Sequence, residues 1–242
     1  MGDLKIDYQG LPGLVEKEGR QARARRGRKG RFRRPLLRLV RWCAVTTVLA
    51  VLPFFVLVRG GVEAYHAWGL GPWLSLGVGA SASALLLAIY AWVGSWKLGA
   101  SAGTRRLLRR GAWSVGLAWV IYALVYVAGA NVKGEEVRAE YRSLHPLIRV
   151  AASAVFVLDG ETGMTDAGRS PEDYRLMGLL VNEASLHFPQ DDSFVHALDL
   201  RTRGRREWRN QGLAMAFWLF GFHTLRHRGT ADHLHLSLRL PR

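Results

Sequence analysis

Three apolar segments, each bordered by basic residues, constrain this chain most. The first runs from Trp42 to Val58 between Arg41 and Arg59, the second from Gly71 to Ser95 ahead of Trp96 and Lys97, and the third from Gly111 to Val132. A bilayer core takes about 20 apolar residues as a helix. The pattern therefore predicts three transmembrane helices, with Pro53 a candidate kink in the first. Gly77, Gly79, Ala80, Ser81, Ala82, Ser83 and Ala84 make one side of the second small, which suits close packing against a neighbouring helix. Trp68, Trp73, Trp92, Trp96 and Trp113 fall near the expected ends, where interfacial anchors belong.

The net charge of +15 is carried entirely by the front of the chain. Residues 1–133 hold 20 Lys/Arg and 5 Asp/Glu, whereas residues 134–242 hold 14 of each. This split reads as a topology signal rather than a nucleic-acid footprint. The arginine-rich run from Arg20 to Arg34 has only Phe32 among its aromatics, so base stacking has little support. Residues 1–41 read as a basic cytoplasmic tail, disordered over its first 35 residues and suited to anionic lipid. Its length before the first apolar segment argues against a cleavable signal peptide. The loop after the second segment carries Lys97, Arg105, Arg106, Arg109 and Arg110 and, like the run from Arg20 to Arg34, has no acid. Both basic blocks belong on the cytoplasmic side, and three crossings (residues 42–133) then place residues 134–242 outside it, in a multi-pass protein of the cell membrane. Cys43, the one cysteine, lies inside the first segment, so no disulfide framework and no cysteine zinc site exist within one chain.

Residues 134–242 have the length of one small domain. Glu135 to Leu158 reads as a helix pair, with Pro146 opening the second helix. Met164 to Ala167 is a short strand, and Ser170-Pro171-Glu172-Asp173 is a helix start. Ser185 to His187 and Phe194 to Arg201 read as the two arms of a hairpin. Arg206 to Phe220 has a helical period stopped by Gly221, and two further strands follow at His223–His227 and His233–Arg239. The expected fold is α+β: a small antiparallel sheet with flanking helices, preceded by three membrane helices.

The chemistry concentrates in Ser185-Leu186-His187, Ala197-Leu198-Asp199 and Asp232-His233-Leu234-His235. Residues two apart in a strand share a face. If the hairpin pairs its arms, His187 and Asp199 converge and His235 joins from a neighbouring strand. Two imidazoles and a carboxylate suit Zn2+ and leave a fourth position open for water. Asp232 and His233 are alternatives for proton transfer, and His233 is also a candidate to stabilise a tetrahedral intermediate. Arg169 is a candidate substrate binder or a partner of Asp166 or Glu172, and Ser185 a support for His187 or a further substrate contact. His196 reads as a wall residue or a support behind the ligands, His223 and His227 as surface groups, and the arginines from 201 to 209 as a solvated helix start.

These motifs, preceded by Gly168-Arg169-Ser170, resemble the zinc D-Ala-D-Ala peptidases, which share a superfamily with lysostaphin-type and hedgehog-type domains. The resemblance covers roughly residues 140–242. It implies a zinc held by His187, Asp199 and His235, Asp232 as general base, His233 as intermediate stabiliser and Arg169 as substrate binder. It also implies D,D-carboxypeptidase or endopeptidase cleavage of peptidoglycan stem peptides. One departure stands out. The usual spacing is His-x-x-Gly-x-x-x-Asp, but here eleven residues separate His187 from Asp199 and Val195 occupies the glycine position. The added residues Phe188 to Ser193 fit a longer loop, which costs little entropy. A metal-free binding module for wall peptide or a partner, keeping the same fold, is the alternative.

Overall fold

The computed structural model describes the backbone of residues 11–99, 101–229 and 232–241 and, apart from isolated positions, the side chains from Pro35 onward. The chain divides into two compact units, Met1–Val51 and Leu52–Arg242. Helix α1 (Leu11–Trp68) begins well before the first apolar segment. The expected disorder of the basic tail is thus corrected from Leu11 onward: arginine, lysine, glutamine and alanine are good helix formers, and they continue an apolar helix that supplies the nucleus. The first ten residues and the side chains of the arginines from Arg20 to Arg34 lie outside the described residues. Pro53 sits inside α1 without ending it.

Among the described residues, two stretches are long and apolar enough to cross a membrane, Leu37–Trp68 in α1 and Pro72–Lys97 in α2 (Pro72–Leu98). The third expected span does not qualify by that measure. Its helix, α3 (Ala102–Val125), begins within the basic loop, takes in Arg105, Arg106, Arg109 and Arg110, and leaves only Gly111 to Val125 as apolar helix before Tyr126 turns extended.

All three helices meet the C-terminal domain, each by one end. From α1, Val58, Val62 and Tyr65 are buried in the same core as Leu144, Leu147 and Phe217. Near the start of α2, the Trp73 ring meets Phe194 edge-on, with centroids 6.0 Å apart. At the end of α3, the carbonyls of Ala123 and Leu124 accept hydrogen bonds from the Tyr141 hydroxyl (2.5 Å) and the Arg149 guanidinium (2.6 Å). Small residues allow the close approach of α1 and α2. A Cβ on Gly79 would lie 2.1 Å from the Leu57 carbonyl oxygen, so the backbones touch there.

The domain is α+β. Helices α4 (Glu135–Glu140) and α5 (Pro146–Leu158) are separated by one 3-10 turn, and α5 is almost entirely buried. Strand β1 (Met164–Asp166) leads to α6 (Pro171–Leu176), which starts with a reciprocal capping box between Ser170 and Asp173. Then come β2 (Ala197–Arg201), α7 (Glu207–Phe220), β3 (His223–His227) and β4 (His233–Ser237). The sheet is antiparallel in the order β1-β2-β4-β3. Helix α7 ends at Gly221, whose φ of 98° suits glycine, and packs back on β3 and β4. Alternation sorts the strands cleanly. Leu198, Leu200, Leu234 and Leu236 turn into the core, while Asp199, Arg201, His233 and His235 share the other face.

Residues 185–187 are not a strand, contrary to the hairpin expected from sequence. The Ser185 amide donates to Asn182 O and the Phe188 amide to Ser185 O, which are turn bonds. The Ser185 hydroxyl accepts the His187 amide at 3.3 Å, a local bond that competes with a ladder.

Candidate metal centre

Asp199 and His235 are direct cross-strand partners in the β2–β4 register, which sets their side chains against each other. Asp199 Oδ1 lies 2.9 Å from His235 Nδ1. His187 arrives from its turn. The Leu186 carbonyl accepts the His196 amide and the His187 carbonyl accepts the Arg169 amide, which fixes the turn over the sheet. His187 Nε2 then lies 3.3 Å from His235 Nδ1 and 3.5 Å from Asp199 Oδ1. The three residues predicted as ligands thus meet, though His187 comes from a turn and not from a paired strand.

The donor set fits a metal ion. Tetrahedral ligands at about 2.0–2.2 Å from a centre stand about 3.3–3.6 Å apart, close to the 2.9, 3.3 and 3.5 Å observed. His187 Nδ1 donates to the Ala167 carbonyl at 2.5 Å, so the neutral ring presents the lone pair of Nε2 to the other two residues. His187 and Asp199 are each 4 % exposed, while His235 keeps an accessible edge. Burial alone would raise the Asp199 pKa. The hydrogen bond from His235 and the imidazoles packed around the carboxylate outweigh it and hold the carboxyl well below its ordinary range, in the form that ligates.

Beside Asp199 opens a cleft of about 670 Å3, lined among others by Lys133, Arg169, Arg201, Asp232 and His233. Arg169 Nε and Nη2 donate to Asp166 Oδ2 at 2.9 and 2.5 Å, and Nη2 reaches within 3.8 Å of Asp199 Oδ2. Burial disfavours its charge, but Asp166 and Asp199 more than compensate and raise its pKa. Asp232 Oδ1 accepts the Thr202 hydroxyl at 2.7 Å, and the Arg226 guanidinium lies 2.7 Å from Oδ1 and 3.0 Å from Oδ2. His233 Nε2 is 3.5 Å from Asp199 Oδ2. Ser185 supports the His187 turn and is not among the residues that line the cleft.

His227 is exposed, as its sequence position predicts, but its ring stacks on His233 at 4.6 Å and meets His235 edge-on at 6.3 Å. Antiparallel pairing of β3 with β4 puts His227 opposite His233, a register available from the sequence. His196 does not wall the cleft. It is fully buried in a second cluster with His145 and Asp192. No protein-family model, no curated protein and no solved structure matches this chain.

Proposed function

We propose that the chain is a membrane-anchored zinc peptidase that hydrolyses peptide bonds in peptidoglycan stem peptides, as a D,D-carboxypeptidase or endopeptidase. The observation that carries this reading is the convergence of His187 Nε2, Asp199 Oδ1 and His235 Nδ1 at ligand-to-ligand separations beside an open cleft. Bound zinc supplies an acidified water nucleophile and a Lewis acid for the scissile carbonyl. Thr202 and Arg226 hold the Asp232 carboxylate at the cleft wall, where it takes the nucleophile's proton. His233, beside the ligand carboxylate, donates to the developing oxyanion, and His227 stacked against it fixes its plane. Arg169 orients substrate by its carbonyl or carboxylate groups while Asp166 holds the guanidinium.

The proposed substrate lies outside the cytoplasm, so a chain with a cytoplasmic tail needs an odd number of crossings to reach it, three in this reading. The contacts at the helix ends support three crossings. The domain packs on the end of α1, the start of α2 and the end of α3. The opposite ends of α2 and α3 carry Lys97 and Arg105 to Arg110. Helix α3 therefore returns along the length that α2 covers, about 36 Å for 24 residues. Trp113, Leu117, Ile121 and Val125 form an exposed apolar stripe at four-residue spacing, fit to face lipid. Arginines at its first turns snorkel to the headgroups, and the basic tail rests on anionic lipid of the cytoplasmic leaflet. The test is digestion of purified wall stem peptides by the full chain in micelles. Zinc-dependent product that is lost in His235→Ala supports the peptidase. Metal binding without product points to the binding module instead. A reporter after Arg242 that reads cytoplasmic removes the peptidoglycan substrate.

A further inference from the structure

The residues that lengthen the path from His187 to Asp199 also carry Asp192. Its Oδ1 and Oδ2 lie 3.0 and 2.9 Å from His196 Nε2, and Oδ1 accepts the Phe194 amide at 3.0 Å. The loop is tightly built. Ser193 adopts a left-handed φ of 66°, its amide donates to Gln190 O, and the Gln190 side chain donates to the carbonyls of Ser185 and Phe188. His145, which caps α5, completes the group. It is 0 % exposed, and its donor atom and those of Asp192 and His196 all lie within 4.8 Å of one another. The Tyr65 ring packs on both imidazoles, with centroids at 4.9 and 5.8 Å.

Two features of this cluster are unresolved within the protein's own hydrogen bonds. His196 faces oxygen acceptors at both nitrogens, Leu238 O at 3.3 Å from Nδ1 and Asp192 at Nε2. A neutral imidazole can donate to only one of them. Among the described residues His145 Nε2 is buried without a hydrogen-bond partner, while Nδ1 accepts the Leu147 amide at 3.3 Å. A cation on the Nε2 side of both rings answers both features at once.

We propose that His145, Asp192 and His196 form a second divalent-metal site, of the zinc class by its N, N, O donors. It shares no residue with the sheet site. His196 and Asp192 already stand at ligand-to-ligand distance, and the His145 atom needs to close by no more than about 1.5 Å to reach about 3.3 Å from the others. Ligation through His145 Nε2 moves that ring's proton to Nδ1 and exchanges the long Leu147 cap bond for a metal bond. Both imidazoles are fully buried, away from the cleft beside Asp199, which suits a structural role, with both Asp192 oxygens beside His196 Nε2 to share the ion. A metal there ties the loop that begins at His187 to the start of α5 and the end of α1. The insertion that stretches the sheet site's ligand spacing thus brings its own clamp.

The test is zinc titration of the full chain in micelles after chelation, read by competition with a chromophoric chelator. The wild type is expected to bind two equivalents per chain. His145→Asn, which keeps a capping side chain for α5, and Asp192→Asn each bind one and retain the sheet site. His235→Ala also binds one, and it keeps a zinc-dependent rise in melting temperature from the buried site. If His145→Asn and Asp192→Asn bind as many equivalents as the wild type, the second site does not exist and the Asp192–His196 contact is a hydrogen-bonded pair alone. That result leaves the sheet site and the peptidase reading intact. Loss of an equivalent in these two variants but none in His235→Ala would uphold the second site and remove the first.

Discussion

The two faces of the β2–β4 pair differ by one residue step and by everything else. On the inner face Leu198, Leu200, Leu234 and Leu236 are at most 1 % exposed and meet only apolar neighbours of the core. On the outer face Asp199, His233 and His235 crowd one carboxylate with two imidazoles, an arrangement that by itself is poor packing. Stability and chemistry are thus separated along the same strands by alternation alone. The outer residues are free to be costly because the inner ones hold the register.

That separation breaks if inner and outer substitutions have the same consequences. Leu236→Ala should have the largest effect on stability, about 2–5 kcal/mol by denaturant titration, while the folded fraction still binds zinc at the sheet site. His235→Ala should do the reverse. Zinc affinity at that site is expected to fall at least about 100-fold, as loss of a ligand must exceed the 10–100-fold typical of losing a ligand's supporting partner. The metal-free chain should lose only what the His235 bond to Asp199 contributes, less than Leu236→Ala costs, and a loss as large as that of Leu236→Ala would mean that the outer face is structural.

Acid separates the faces further. Asp199 is held below its unfolded value of about 3.9. Its contribution to the metal-free chain is therefore complete above that value and disappears as pH falls through it towards the folded pKa. Asp199→Asn should remove part of the acid loss, seen as a flatter stability curve below about pH 4. Leu236→Ala should lower the curve at every pH without changing its slope. The smallest expected effect lies at the rim. Ser170→Ala removes the capping box of α6 next to Arg169 and should cost about 1 kcal/mol, with zinc affinity unchanged. A change in affinity would show that the rim and the ligands are coupled through the bond from the Arg169 amide to His187 O.

Local signals in the sequence carried much of the fold. The Ser170 cap, the Gly221 stop and the period-2 runs of β3 and β4 each act within a few residues, and each stands where the pattern predicts. The same alternation anticipated that Asp199 and His235 could share a face. Residues 185–187 escaped because their backbone bonds go to distant partners, Arg169 and His196, and to the Ser185 hydroxyl. The helical start of α1 escaped because a run of like charges suggests repulsion, whereas the apolar helix that follows decides the outcome. His145 was illegible as anything but a cap, since its unpartnered Nε2 depends on residues about fifty positions away.

The central claim is that His187, Asp199 and His235 hold one metal ion. X-ray absorption at the zinc edge of the full chain carrying His145→Asn, loaded with one equivalent, tests it most directly. The expected shell is two imidazole nitrogens and one carboxylate oxygen at about 2.0–2.2 Å with a light fourth ligand, and the imidazole signature should weaken when His235→Ala is added. A shell of oxygens alone, or one that His235→Ala leaves unchanged, would contradict it.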